Sequence, residues 1–193
     1  MPDIHTVAVF CGSATGADPA FIEAAEILGR GLAEAGIRLV YGGGRVGMMG
    51  AVADAVLRAG GEVVGVIPDF LTRAEVAHDG LTHLIVTDSM HTRKRRMFDM
   101  SDAFVVLPGG LGTLDETAEI VTWRQLKLHD KPILLCDVAG SAQPFVAAME
   151  TAIAQGFARP EVRRLFEVVA GPEAVLRRLT RLPAGEAVSA TPL

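Results

Sequence analysis

The sequence predicts an α/β fold with a mainly parallel, doubly wound sheet and helices on both faces. Apolar runs of strand length recur with helical segments between them. The runs are continuous rather than alternating, as expected of strands covered on both sides. Glycine-rich turns follow two of the runs and open helices, the arrangement found at the carboxyl edge of a parallel sheet. With 193 residues, half of them hydrophobic and 21% charged, the chain suits one core, a single Rossmann-like domain.

The strand runs are residues 6–11, 37–41, 63–67, 84–86, 103–107 and 133–136. In the first crossover Asp18 is an N-cap and Pro19 fits the first helical position. Phe21, Ala25, Leu28 and Leu32 then follow at core-facing spacing until Gly36 closes the helix. Later helices are read at 48–58, 92–101, 114–126, 144–155 and 173–182. The domain is taken as residues 1–182, and 183–193, rich in Ala, Pro, Ser, Thr and Gly, as a flexible tail. The long connection 68–80 holds Arg73, Glu75, His78 and Asp79, and is either a pocket wall or a solvated loop.

A formal net charge of -5 and a pI near 5.5 argue against a nucleic acid polymer or an anionic membrane as partner. A small anion is still allowed, because local amides and one or two cations hold a phosphate whatever the global charge. Cys11 and Cys136 show no CxxC spacing and read as reduced thiols of a cytoplasmic protein. The first residues carry no basic leader, and no apolar stretch approaches bilayer length.

Gly42, Gly43, Gly44, Arg45, Val46 and Gly47 match a GxGxxG dinucleotide fingerprint, but after the second strand rather than the first and without the acid expected about 20 residues on. Met48 and Met49 stand where a phosphate-binding P-loop needs Lys and Ser or Thr. The motif is therefore either a nucleotide contact, through Gly43 and Gly44, or a tight turn with close packing. The second motif is Pro108, Gly109, Gly110, Leu111, Gly112, Thr113, Leu114, Asp115, Glu116. Its glycines, the helix N-terminus and the Thr113 hydroxyl together make a phosphate seat. Thr113 and Glu116 also match a TxxE capping box, so spacing alone does not separate a helix cap from a catalytic carboxylate. Parallel strands bring both turns to one edge of the sheet, where one mononucleotide can touch both.

In the run Thr92, Arg93, Lys94, Arg95, Arg96, successive helical residues turn by about 100 degrees. Four in a row therefore cannot face one site. Arg93 shares a stripe with Met97 and Met100 and aims into the crevice, while Arg95 and Arg96 face water.

These residues resemble a known family. The segment 41–50, the segment 90–94 with its Arg-Lys, and the PGGLGTLDE sequence of 108–116 are similar to the LOG family of cytokinin riboside 5'-monophosphate phosphoribohydrolases, long mislabelled lysine decarboxylases. The likeness runs in order from about residue 7 to residue 135. It implies a homodimer that hydrolyses AMP, or an N6-prenylated relative, to free base and ribose 5-phosphate without a cofactor. It places Arg93 and Glu116 as catalytic. Lys94, Gly109, Gly110, Leu111, Gly112, Thr113, Leu114, Asp115, Thr122 and Glu75 fall at substrate-binding positions, and Ser13, Gly43 and Gly44 are taken with them.

The chemistry agrees with those roles. Breaking an N-glycosidic bond passes through an oxocarbenium-like ribosyl centre, which a carboxylate stabilises while it orients or deprotonates water. Arg93 would hold the ribose hydroxyls or phosphate and keep Glu116 ionised. Glu119, one turn on and beside Trp123, is a second candidate acid or a salt-bridge residue. No metal is required, and His5, His78, His83, His91 and His129 show no ligand spacing. The decarboxylase label would need a pyridoxal-bearing lysine, and none of Lys94, Lys127 and Lys131 sits in a recognisable Schiff-base setting. Two other readings use the same glycine turns: a carrier that holds a nucleotide or nucleotide-like cofactor without cleaving it, and a nicotinamide-dependent oxidoreductase, which the displaced fingerprint disfavours.

Overall fold

A parallel sheet of seven strands runs through the protein: β1 (Thr6–Phe10), β2 (Arg38–Tyr41), β3 (Val63–Pro68), β4 (His83–Thr87), β5 (Ala103–Val106), β6 (Ile133–Asp137) and β7 (Glu167–Ala170). The computed structural model describes residues 4–72 and 77–183, so Arg73, Glu75 and the tail beyond Pro183 lie outside the described residues. Among the described residues there are six α-helices: α1 (Pro19–Glu34), α2 (Gly47–Arg58), α3 (Met90–Asp99), α4 (Leu111–Gln125), α5 (Gln143–Ala154) and α6 (Pro172–Leu179).

The strand order is β4-β3-β2-β1-β5-β6-β7. The chain builds one wing outward from β1 and then returns to lay β5 on the other side of β1. That reversal opens a crevice at the carboxyl ends of β1 and β5, where ligands of such sheets bind. Alternate side chains of β1 feed two separate cores. Val7 and Val9 pack with α1, α2 and α6, whereas Ala8 and Phe10 pack with α3 and α4. The doubly wound prediction therefore holds.

The first crossover matches its prediction closely. Asp18 accepts from the Ala20 amide as N-cap, Pro19 opens the helix, and Gly36 follows its end with a φ of 68°. Two readings change. The strand β7, with the sequence EVVA, was not anticipated. It is a short edge strand with only Val169 buried, so it lacks an apolar run. At the opposite edge, β4 leaves Leu84 and Val86 exposed, so that run is not covered on both faces.

Below the sheet, the connection from α4 to β6 carries two buried polar side chains. The Lys131 ammonium donates to the Phe98 carbonyl in the last turn of α3 at 2.8 Å and sits over the Phe98 ring. His129 Nε2 lies 2.9 Å from the Ile120 carbonyl of α4, and its ring stands edge-on to Phe98 and Phe104. This wedge ties the two helices that carry Arg93 and Glu116. Burial lowers the His129 pKa below its ordinary 6.5, against the opposing pull of the Ile120 carbonyl. A second proton would also stand on Nδ1, which has no partner among the described residues.

Because the unfolded ring takes up its proton first, the contribution of His129 is fully present above the ordinary value and is lost as pH falls below it toward the lowered value of the folded ring. The urea midpoint is therefore expected to drop between about pH 7.5 and about pH 5, and to drop less in His129→Gln. Equal slopes in the two proteins would remove His129 from this role.

Candidate active site

At the switch point a cleft of about 150 Å³ is lined by Val9, Cys11, Gly12, Ser13, Gly42, Met49, Arg93, Gly110, Leu111, Gly112, Thr113 and Glu116. Its contributors come from the end of β1 and the loop after it, from the turns after β2 and β5, and from the starts of α2, α3 and α4, all at one edge of the sheet.

Ser89 sets the start of α3. Its hydroxyl accepts from the Thr92 amide as N-cap, so the helix begins at Met90, two residues earlier than the predicted start at Thr92. That shift puts Arg93 at the end of the first turn. The Arg93 side chain is 7% exposed, with Nε donating to the Val66 carbonyl at 3.0 Å and Nη2 to the Gly42 carbonyl at 3.2 Å. Its Nη1 lies 3.9 Å from a Glu116 oxygen. Two backbone carbonyls thus orient the guanidinium, and its remaining edge meets the carboxylate. Arg95 and Arg96 are exposed, as expected, with Arg95 paired to Asp99 within its own helix.

The TxxE capping box does not form. The N-cap of α4 is Gly110, in an extended conformation and with no side-chain cap, so the helix starts three residues before Thr113 could have capped it. Glu116 therefore sits in the second turn, buried to 8% exposure and facing Arg93 rather than reaching back to an amide. Among the described residues, no acceptor meets the amides of Leu111, Gly112 and Thr113, while the Leu114 amide bonds to the Gly110 carbonyl. Unpaired N–H groups at a helix N-terminus make an anion seat.

The first glycine motif is arranged differently. The Met48 and Met49 amides at the start of α2 donate to the carbonyls of Ala14 and Gly12, so this helix end is already plugged by the loop after β1. Gly47 has a φ of 63°, and a Cβ there would collide with the Ser13 backbone. The motif is a packing joint, whose helix N-terminus, unlike that of α4, is closed by the loop after β1. Gly42 reaches the cleft; Gly43 and Gly44 do not line it.

The other predicted positions divide. Ser13, Gly110, Leu111, Gly112 and Thr113 line the cleft with Arg93 and Glu116. Gly109 lies behind the loop, where a Cβ would strike the Thr113 side chain. Lys94 does not line the cleft; its ammonium is 2.7 Å from Asp115 and 3.3 Å from Glu119. Burial works against that charge, but the two carboxylates outweigh it and raise the Lys94 pKa. Glu119 thus occupies a salt bridge. Leu114 is exposed, and exposed Thr122 bonds to the Ala118 carbonyl of its own helix. Glu75 falls outside the described residues.

Cys11, on the cleft wall, was read only as a reduced thiol. Burial, with the Glu116 charge, pushes its pKa far up, so it lines the site as a neutral thiol. Among the described residues, no group of three or more His, Cys, Asp or Glu is placed to hold a metal ion, and no helix is long and apolar enough to cross a membrane.

Residues 49–179 match the model of the family described as possible lysine decarboxylase. The chain is 45% identical over 163 residues to a cytokinin riboside 5'-monophosphate phosphoribohydrolase of Rhodococcoides fascians, covering 84% of this chain and 82% of that protein. It is 42% identical over 168 residues to the rice enzyme of that name, Oryza sativa subsp. japonica, covering 87% of this chain and 69% of that one. Among solved structures, the molybdenum cofactor binding protein of Rippkaea orientalis superposes with a TM-score of 0.69 at 24% identity, over 91% of this chain and 94% of that one, which shows a shared fold. With its sequence aligned to these relatives along most of its length, the chain belongs to the LOG family.

Proposed function

We propose that the chain hydrolyses the N-glycosidic bond of AMP or an N6-prenylated AMP, releasing free base and ribose 5-phosphate. The observation that carries this reading is the Arg93 and Glu116 pair, buried beside three amides at the α4 N-terminus that meet no acceptor among the described residues. A 5'-phosphate on the α4 N-terminus sets the ribose over Glu116. The C1'–N9 bond breaks and its electron pair leaves with the base, while a water oxygen bonds to C1'. Glu116 stabilises the cationic sugar and takes the water's proton, which passes on to the base or solvent. Arg93 balances the carboxylate and steers the ribose.

The cleft is smaller than the roughly 300–1,000 Å³ usual for complete ligands, so the base extends toward the open mouth, where an N6 substituent is tolerated. The test is a chromatographic panel. AMP and N6-isopentenyl-AMP release base, and adenosine reacts at least about 10²-fold less well, because the phosphate's binding energy is spent on positioning. Intact AMP and intact prenylated nucleotide after long incubation would instead indicate a carrier.

A cytoplasmic homodimer completes the proposal. Both cysteines are buried and unbridged, as in a reducing compartment. The solvent side of α4 also carries apolar side chains: Leu111, Leu114, Ala118 and, just past its end, Leu126 are exposed, with Leu111 at 87% and Leu126 at 61%. Exposed leucines on a helix that also has a core face favour a second cover. Light scattering is expected to give twice the chain mass, and Leu126→Asp to shift it toward monomer; a monomeric native protein would refute the assembly.

A further inference from the structure

The turn that holds Arg93 has three successive carbonyls, each with its own donor. Gly42 accepts from Arg93 Nη2 at 3.2 Å, Gly43 from the His78 amide at 3.0 Å, and Gly44 from the Tyr41 hydroxyl at 3.0 Å. Two of these donors, Arg93 and His78, come from outside the turn, and His78 belongs to none of the elements that line the cleft. An antiparallel bridge between Gly44 and Ala77 joins the same two segments, and an exposed Arg45–Asp79 ion pair lies beside it. Residues 77–80 therefore lie against the back of the turn whose front carries the arginine.

His78 fixes that segment by its ring. The ring is 5% exposed. Nδ1 is 3.1 Å from the Gly80 amide, which donates to it, so in the neutral ring the proton stands on Nε2. Nε2 then donates to Asp54 Oδ1 at 3.0 Å, on α2. The first turn of α2 supplies Met49 to the cleft wall. The clasp thus joins the 77–80 segment, the glycine turn and α2 into one unit. The turn has little room on the β3 side, where a Cβ on Gly43 would lie 3.1 Å from the Ile67 Cβ, and the His78 amide holds its Gly43 carbonyl at 3.0 Å.

We infer that His78, with Asp54 as its acceptor, is a positioning residue for the hydrolysis, holding the glycine turn in the one register that aims Arg93 at Glu116. This rests on the hydrolase reading above. A buried apolar side chain would fill the same space without the cost of desolvating an imidazole, but without fixing an orientation. His78 touches neither the amides of α4 nor the cleft, so it acts through the guanidinium and leaves the phosphate seat alone.

The test uses the full chain with AMP. His78→Phe keeps ring volume and removes both ring bonds; kcat is expected to fall about tenfold while KM stays within about twofold. His78→Gln, which still presents a donor at the Nε2 position, recovers part of kcat. Asp54→Ala, made at a half-exposed residue of α2, lowers kcat in the same way even if His78→Phe does not fold, and Asp54→Asn, whose amide oxygen still accepts, restores it. A folded His78→Phe or Asp54→Ala with native kcat overturns the inference, as does a fall in kcat that Gln and Asn fail to rescue. Absence of hydrolysis in the native protein would sink the hydrolase reading itself, a result distinct from either.

Discussion

Glu116→Gln lowers kcat for AMP by roughly 10²–10⁴-fold and leaves KM nearly unchanged. The side chain is buried 3.9 Å from Arg93 and caps nothing, since Gly110 opens its helix. The substitution is almost isosteric and removes only the negative charge and the basic oxygen. Stability is not expected to suffer, because the amide oxygen still faces the guanidinium. The proposed phosphate contacts are the amides of residues 111–113, which the change does not touch. Rapid-quench measurement of base release reads kcat directly. Native turnover in the variant would remove Glu116 from the chemistry and return the cleft to a binding role.

Gly42→Ala is expected to be nearly as damaging, at about 10²-fold in kcat/KM, although residue 42 touches no reacting atom. Its backbone is not in the left-handed region, so alanine is conformationally acceptable there. The obstacle is space: an added Cβ would overlap Arg93 Nη2 and press on the Met49 sulfur. The guanidinium must leave the Gly42 carbonyl, and its aim at Glu116 goes with it. Steady-state kinetics alongside a thermal melt separate this from unfolding. A variant that melts early and is inactive would show that the joint itself failed; a stable and fully active one would show that Arg93 has other places to sit.

The sequence made the doubly wound sheet and its crevice legible through six apolar runs and two glycine turns. Arg93 was legible because it shares a helical stripe with Met97, which is buried. Spacing left Thr113 and Glu116 undecided, because a capping box and a catalytic acid look alike until the helix start is known. It also gave no sign that the loop after β1 would fill the α2 N-terminus, because that contact joins Gly12 and Ala14 to residues more than thirty positions away. The strand β7 escaped because an edge strand with one buried residue carries no periodic signal. Lys94 could be placed on α3, but its attachment to Asp115 and Glu119 depends on how two helices lie side by side.

The anion seat consists of main-chain N–H groups, and every amino acid except proline brings one. On the proposed mechanism, retention of a nucleotide is thus insulated from most point substitutions, whereas its cleavage would rest on Arg93 and Glu116, either of which a single codon change can delete. Descent from hydrolase to mere holder is an easy evolutionary step on such a scaffold, and the reverse journey requires a carboxylate and a guanidinium to arrive together.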